Sequence, residues 1–147
     1  MKFLKKFILI IFIGLTYCIT ANAADNLFEE AKKKFDKKDY EKSKFLFQRN
    51  IVYNPKNAES YLYLAKIFNT EENQEEEEKN LDTTLLLEPN NEEAIYMLIN
   101  IQLDRSNFEK ANTLMDRFTN VCDKMCNKKK EISKSLQDFE ANNEKTN

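Results

Sequence analysis

Two prolines 34 residues apart, each in a similar setting, constrain this chain more than any other feature. Pro55 stands in Tyr53-Asn54-Pro55-Lys56-Asn57-Ala58, and Pro89 in Leu87-Glu88-Pro89-Asn90-Asn91-Glu92. The apolar positions around them recur in step with the prolines and at helical spacing. A period of this length points to stacked helix–turn–helix units. Composition agrees with helices. The chain has one Gly and two Pro, so the Asn-Gly and Gly-Asn signals of tight β-hairpins are absent. Lys, Glu, Asn and Leu dominate, and most of these form or tolerate helix. The expected fold class is all-α.

The middle unit, residues 58–91, carries Tyr61-x-x-Leu64-Ala65-x-x-Phe68, then Leu81 and Leu85 on one face, then Pro89. The preceding unit, 24–57, has Asp39-Tyr40-Glu41-Lys42-Ser43 followed by Phe47, Ile51 and Pro55. Its first helix is eroded: Glu30 and Lys34 fill positions that are usually apolar, though Leu27, Ala31 and Phe35 keep an i, i+4, i+8 stripe. The third unit, 92–122, has Ile95-x-x-Leu98-Ile99 and Phe108-x-x-Ala111-x-x-x-Met115, with Asp123 where a closing Pro would stand. The period and these residues resemble the tetratricopeptide repeat, of the exported bacterial type. The resemblance implies an α-α superhelix of three helical hairpins plus a C-terminal capping helix. In that family a small residue stands where Glu77 does here, which implies looser packing between the helices of the middle unit. Residues 127–141 supply the capping helix, with Ile132, Leu136 and Phe139 on one face covering the end of the stack. Residues 142–147 read as a flexible tail.

The first 23 residues stand apart. Lys2, Lys5 and Lys6 precede an apolar run from Phe7 to Ile13, and Ala21-Asn22-Ala23 offers small residues where a signal peptidase reads. This is a secretory pattern, with cleavage expected after Ala23. The alternative, a retained anchor, has too short an apolar stretch for the roughly 20 residues of a spanning helix. Lipidation at Cys18 is less expected, because the bulky Tyr17 precedes it where a bacterial lipobox has a small residue. The expected location is therefore the periplasm or the medium. Removal of residues 1–23 takes three Lys and no acid, so the net charge becomes 20 − 25 = −5. An acidic surface of this kind argues against nucleic acid, which requires a basic patch.

Local chemistry supports the same segmentation. Asn57, Asn73, Asn91 and Asn107 each precede an expected helix, where their side chains can accept free backbone N–H groups. Asn73 with Glu76, and Asn26 with Glu29, fit a capping box. The turns inside the hairpins use Lys37-Lys38, Glu71-Glu72 and Arg105-Ser106 and contain no Gly. A left-handed residue there costs up to about 1 kcal/mol, part of which Asp39, Asn73 or Asn107 can take up.

Catalytic chemistry finds no support. The chain has no His, and its only Gly, Gly14, lies in the leader. No cofactor or metal is expected, and the chain reads as a non-enzyme. Cys122 and Cys126 are the one specific chemical feature. In an oxidising compartment such a pair usually bridges. Four residues of helix span about 6 Å, within disulfide range, and a turn accommodates the bridge better than a continuous helix. A redox role lacks the Cys-x-x-Cys spacing. The acidic run Glu71, Glu72, Glu75, Glu76, Glu77 and Glu78 reads first as a solvated helix start, favoured by the helix dipole, and second as a binding patch.

The resemblance also implies a function. The first helix of each unit lines a concave groove that holds a peptide or a partner's helix. Carried over position by position, the groove residues are Phe28 and Lys32, then Glu59, Leu62, Tyr63, Lys66 and Asn69, then Glu93, Tyr96 and Asn100. Phe28, Leu62 and Tyr96 are equivalent and would form an apolar strip. The carboxylate clamp of chaperone-binding members is not expected, since its places hold Phe28, Lys32, Tyr63, Glu93 and Met97. The expected role is a scaffold or adaptor for another protein or peptide, as a monomer or weak homo-oligomer. The alternatives are a disulfide-handling protein using Cys122 and Cys126, or a self-associating structural protein.

Overall fold

A computed structural model describes residues 26–144. The leader, the expected cleavage site and residues 145–147 lie outside the described residues. Among the described residues there are seven α-helices and no strand. They run α1 (26–36), α2 (Tyr40–Tyr53), α3 (Ala58–Thr70), α4 (Gln74–Leu87), α5 (Glu92–Asp104), α6 (Phe108–Val121) and α7 (Lys129–Glu144). A 3-10 turn, Cys126–Lys128, leads into α7. The first six helices pair as three antiparallel hairpins, the first of them held by Ser43 on Ala31 and Phe47 against Phe28, and α7 packs on α5 and α6. The last helix includes residues 142–144, which were expected in the flexible tail.

The turn inside each hairpin is built the same way. Lys38, Glu72 and Ser106 have φ of 59°, 56° and 57°, and they recur every 34 residues. The next residue donates its N–H five residues back: Asp39 to Lys34 O, Asn73 to Phe68 O, Asn107 to Gln102 O, at 2.8–2.9 Å. This closes a helix with a left-handed residue of the Schellman kind. The strain therefore sits on Lys38, Glu72 and Ser106 themselves, and the following Asp or Asn is left to open the next helix. Asn73 and Asn107 do so by accepting the N–H of Glu76 and Lys110, as Asn57 and Asn91 do for Ser60 and Ala94. The capping box is only half made, because the Glu76 carboxylate bonds Lys79 instead of reaching back. Residue 26 is already helical, so the cap of α1 lies outside the described residues.

Two cores meet at α3. The first is aromatic: Phe28, Phe47 and Phe68 with Ala31, Leu46, Leu64 and Ile67, flanked by Phe35, Tyr40 and Tyr63. Tyr63 stacks on Phe47 at 4.9 Å, and Phe28 meets Phe47 edge-on at 5.7 Å. The second is mostly aliphatic and includes Leu62, Leu81, Ile95, Leu98, Ile99 and Phe118. Ile132 and Leu136 of α7 are buried in it, so α7 covers the end of the stack. The side chain of Phe139 lies outside the described residues. Helix α3 sends Leu64, Ile67 and Phe68 to the first core and Leu62 and Ala65 to the second.

The expected loosening of the middle unit does not occur. Helices α3 and α4 make more extensive contact with each other than α5 and α6 do. Ser43, Glu77 and Ala111 occupy the same place in successive units, and all three are buried. Ser43 satisfies itself on the carbonyl of Ala31 at 2.9 Å. Glu77 turns instead onto the amide of Asn69, at 3.1 and 3.2 Å from its two carboxylate oxygens. A side chain that folds along its own hairpin leaves room for the helices to close.

Candidate ligand groove

Asn69 from α3 and Tyr96 and Asn100 from α5, all expected in the groove, line one open cavity of about 480 Å³. Its other walls carry Glu72, Glu77 and Asp104, and no Lys or Arg lines it. Glu59, Leu62 and Glu93 line a second recess of about 460 Å³, together with Glu92, Lys124 and Met125. Between the two, Lys66 pairs with Glu93 at 2.8 Å and sits 4.8 Å over the Tyr63 ring. Lys32 lies 5.5 Å over Phe28, and neither lines either cavity.

The expected apolar strip is not present. Phe28 and Leu62 are only 7% and 6% exposed and belong to the two cores. A helical stripe drifts around the axis, so both Leu27 and Phe28 reach the core while Leu27 keeps more exposure. Tyr96 is half-buried and already engaged. Its hydroxyl donates to Glu131 at 3.0 Å, Lys128 lies 5.3 Å over its ring, and the ring packs 6.2 Å from Phe118. Helix α7 thus closes one side of the groove beside α5.

The acidic run at the start of α4 divides by role. Glu71 pairs with Lys44 at 2.7 Å, and Glu76 with Lys79 at 3.1 Å. Glu78 accepts from Arg105, Lys110 and Gln102. Burial acts to raise its carboxyl, but the two cations outweigh it and hold it below the usual carboxylate range. Glu77 is different. It is 4% exposed, and the amide of Asn69 is its hydrogen-bond partner in place of a cation. Burial pushes its carboxyl up and nearby Asp104 adds to this, only partly opposed by the Asn69 bond and the charge of Arg105. The sequence places Asn69 in the groove, and Glu77 both at a packing position and in the acidic run, without joining the two. The signal was available, because Asn69 also departs from the repeat: Phe35 and Leu103 stand one period either side of it.

Below the second recess, Glu92 holds the link to α7. Its carboxylate accepts three successive backbone N–H groups, from Asp123 at 2.7 Å, Lys124 at 3.1 Å and Met125 at 3.1 Å. Burial works to raise this carboxyl, and the three donors together hold it below its ordinary value. The link includes Cys122, which ends α6, and Cys126, which begins the 3-10 turn. Their Cα atoms stand 5.2 Å apart and their Sγ atoms 2.10 Å. No described helix is long and apolar enough to cross a membrane.

Comparison with known proteins supplies the fold class. No protein-family model matches the sequence, and no curated protein matches it significantly. Solved structures do. The chain is similar to the Arabidopsis OM64 TPR domain, with a TM-score of 0.71 and 18% identity over 81% of this chain and 98% of that one. It is also similar to the Yersinia enterocolitica type III secretion chaperone SycD, solved in complex with a peptide of the translocator YopD. There the TM-score is 0.71 and identity 11%, over 83% of this chain and 95% of that one. The first TPR of Spaghetti (RPAP3), bound to the HSP90 peptide SRMEEVD, gives 0.66 and 16%, over 78% and 93%. The fold of this chain is that of a tetratricopeptide repeat domain: three hairpins and a capping helix.

Proposed function

We propose that this chain is a protein-interaction module that holds a peptide or a partner's helix in its groove, outside the cytoplasm. The observation that carries the reading is the cavity of about 480 Å³ shared by α3, the start of α4 and α5, which unites Asn69, Tyr96 and Asn100. Pockets between helices are ordinary ligand sites in helical folds. The structural neighbours solved with bound peptides support the same use. The test is a photo-crosslinking residue placed at Asn100, inside the groove, and separately at Val52, which is 78% exposed and lines neither cavity. A discrete adduct from position 100 and none from 52 supports the reading. Adducts from both alike, or from neither, sink it.

The export reading rests on the basic start, the apolar run and Ala21-Asn22-Ala23. Sequencing the N-terminus of the protein from the envelope fraction should begin at Ala24, and a start at Met1 would reject cleavage. In an oxidising compartment Cys122 and Cys126 are bridged, closing the link that Glu92 holds. Maleimide then labels neither residue in the native protein, and two readily labelled thiols would reject the bridge.

A further inference from the structure

We infer that the outward face of α2 rests on an anionic membrane surface, with Phe45, Val52 and Tyr53 entering the headgroup region and Arg49 and Lys56 meeting lipid phosphates. The inference is independent of the groove reading, since none of these residues lines either cavity.

Phe45, Val52, Tyr53 and Leu86 are the large apolar side chains left exposed among the described residues, and the first three stand on α2. They are 58%, 78% and 54% exposed. Helical spacing puts Phe45, Arg49, Val52 and Tyr53 on one stripe, opposite the buried Ser43, Phe47 and Asn50. Arg49 lies 5.7 Å over the Phe45 ring, so the cation and the aromatic stand side by side. Lys42 shares the stripe, though it also pairs with Asp39 at 3.5 Å. Lys56 is exposed just beyond the end of the helix, and Glu41, near its start, is the only acid in α2.

The other units lack this surface. One period on, the place of Phe45 holds Lys79 and then Thr113, and the place of Gln48 holds Asp82 and Asp116. The place of Val52 holds Leu86 and then Asn120. The aromatic bulk and the missing Asp therefore belong to the first unit alone.

Charge and position say what covers this face. The chain beyond the leader is net acidic, yet this stripe is basic, so its complement is an anionic surface. A helical stripe that mixes Phe and aliphatic side chains with Arg and Lys suits a lipid interface, lying on it and not crossing it. Across the first hairpin Phe35 meets Tyr40, Ala31 meets Ser43 and Phe28 meets Phe47, so the start of α1 is level with Arg49. The upstream chain, with its apolar run Phe7 to Ile13, thus joins the domain at the end of α2 that carries Arg49, Val52 and Tyr53. The segment expected to bring the chain to a bilayer and the face proposed to rest on one lie at the same end.

The test sediments the purified protein with vesicles of phosphatidylcholine alone, and of phosphatidylcholine mixed equally with phosphatidylglycerol. The mixed vesicles should carry down about tenfold more protein. Phe45→Ser should cut that binding about tenfold and Arg49→Gln about fivefold. Both side chains are exposed, and circular dichroism checks that the variants fold. Thr113→Ala, at the place of Phe45 in the third unit, should leave binding intact. Equal binding to both kinds of vesicle, or binding that Phe45→Ser and Arg49→Gln leave unchanged, overturns the inference. No vesicle binding overturns it too, and a dimer lost in Phe45→Ser would then assign the face to a second copy of this chain. None of these outcomes touches the groove reading, which rests on crosslinking from position 100.

Discussion

The two cores of this molecule are built from different materials. Around α1 and α2 the buried volume is filled by a few aromatic rings, with Phe47 touching both Phe28 and Tyr63. Around α5 and α6 it is filled by many aliphatic side chains, among them Ile95, Leu98 and Ile99. An aromatic core depends on few contacts of large area, whereas an aliphatic one spreads its burial over many small ones. The difference matters in a stacked repeat, because each hairpin is stabilised only by its neighbours. Helix α3 faces both cores and decides whether they melt together.

The largest expected effect breaks this comparison at its strongest point. Phe47→Ala should cost roughly 4 kcal/mol, through lost burial and a cavity under Tyr63. Ile99→Ala, in the other core, should cost roughly 3 kcal/mol. Thermal unfolding followed by circular dichroism checks both. If α3 couples the cores, each variant shows one transition at a lower temperature. Two separated transitions in Phe47→Ala would show that the aromatic half unfolds by itself. Equal losses in the two variants would remove the distinction drawn here.

Next in size is the link to α7, which belongs to the aliphatic half alone. Glu92→Gln should cost about 1–2 kcal/mol, since a charged acceptor of three N–H groups becomes a neutral one. The pH dependence has a definite sign. The folded-state carboxyl is held below its ordinary value, so its stabilisation is complete above the unfolded carboxylate range and is lost as pH falls through the lowered folded value. Stability measured by urea from pH 7 down into the acid range should fall for the wild type more steeply than for the variant. Parallel curves would show that Glu92 is not held as described.

Much of this architecture was legible in the chain. The prolines set the period, and the Asn residues marked four helix starts, because capping is local chemistry that a sequence displays directly. The unusual turn residues were legible too, as pairs where Gly was missing. What failed was the side-chain direction in the groove. Phe28 is assigned outward by position yet fills the first core, and Leu62 lines the second recess while lying mostly in the other core, because a one-residue rotation on a helix decides between groove and interior. The α7 contacts of Tyr96 were out of reach, since Glu131 lies 35 residues away and no local pattern encodes the pairing. Glu77 was visible as an anomaly, but its partner Asn69 was read for binding alone. Comparing both with their equivalents one period away would have joined them.

Glu77 sits between the two halves and gives a smaller effect of opposite sign. Glu77→Gln should stabilise by roughly 1 kcal/mol at pH 7, because it removes a buried charge that Asn69 and the nearby Arg105 only partly offset, and keeps an oxygen for Asn69. Its folded carboxyl is raised, so the folded state holds the proton more tightly. Stability of the wild type should therefore decline as pH rises from the ordinary carboxylate range through the raised folded value, and the variant should lack that decline. Chemical denaturation across this range checks it, and a destabilised variant at pH 7 would mean that Asn69 and Arg105 together offset the burial of the charge in full.

The smallest effects test whether the two halves share one hairpin design. Lys38, Glu72 and Ser106 hold left-handed backbone without being Gly. Replacing each by Gly removes a steric cost of about 1 kcal/mol but adds flexibility to the unfolded chain. The net gain should be about 0.5 kcal/mol per site. Because the same backbone bonds recur at all three turns, Lys38→Gly in the aromatic half and Ser106→Gly in the aliphatic half should gain alike. Glu72 also lines the acidic cavity. Its Gly variant should gain the same stability as the other two, since its backbone and not its side chain carries the turn. A loss of stability at any of the three would show that the side chain, and not the backbone, holds that turn.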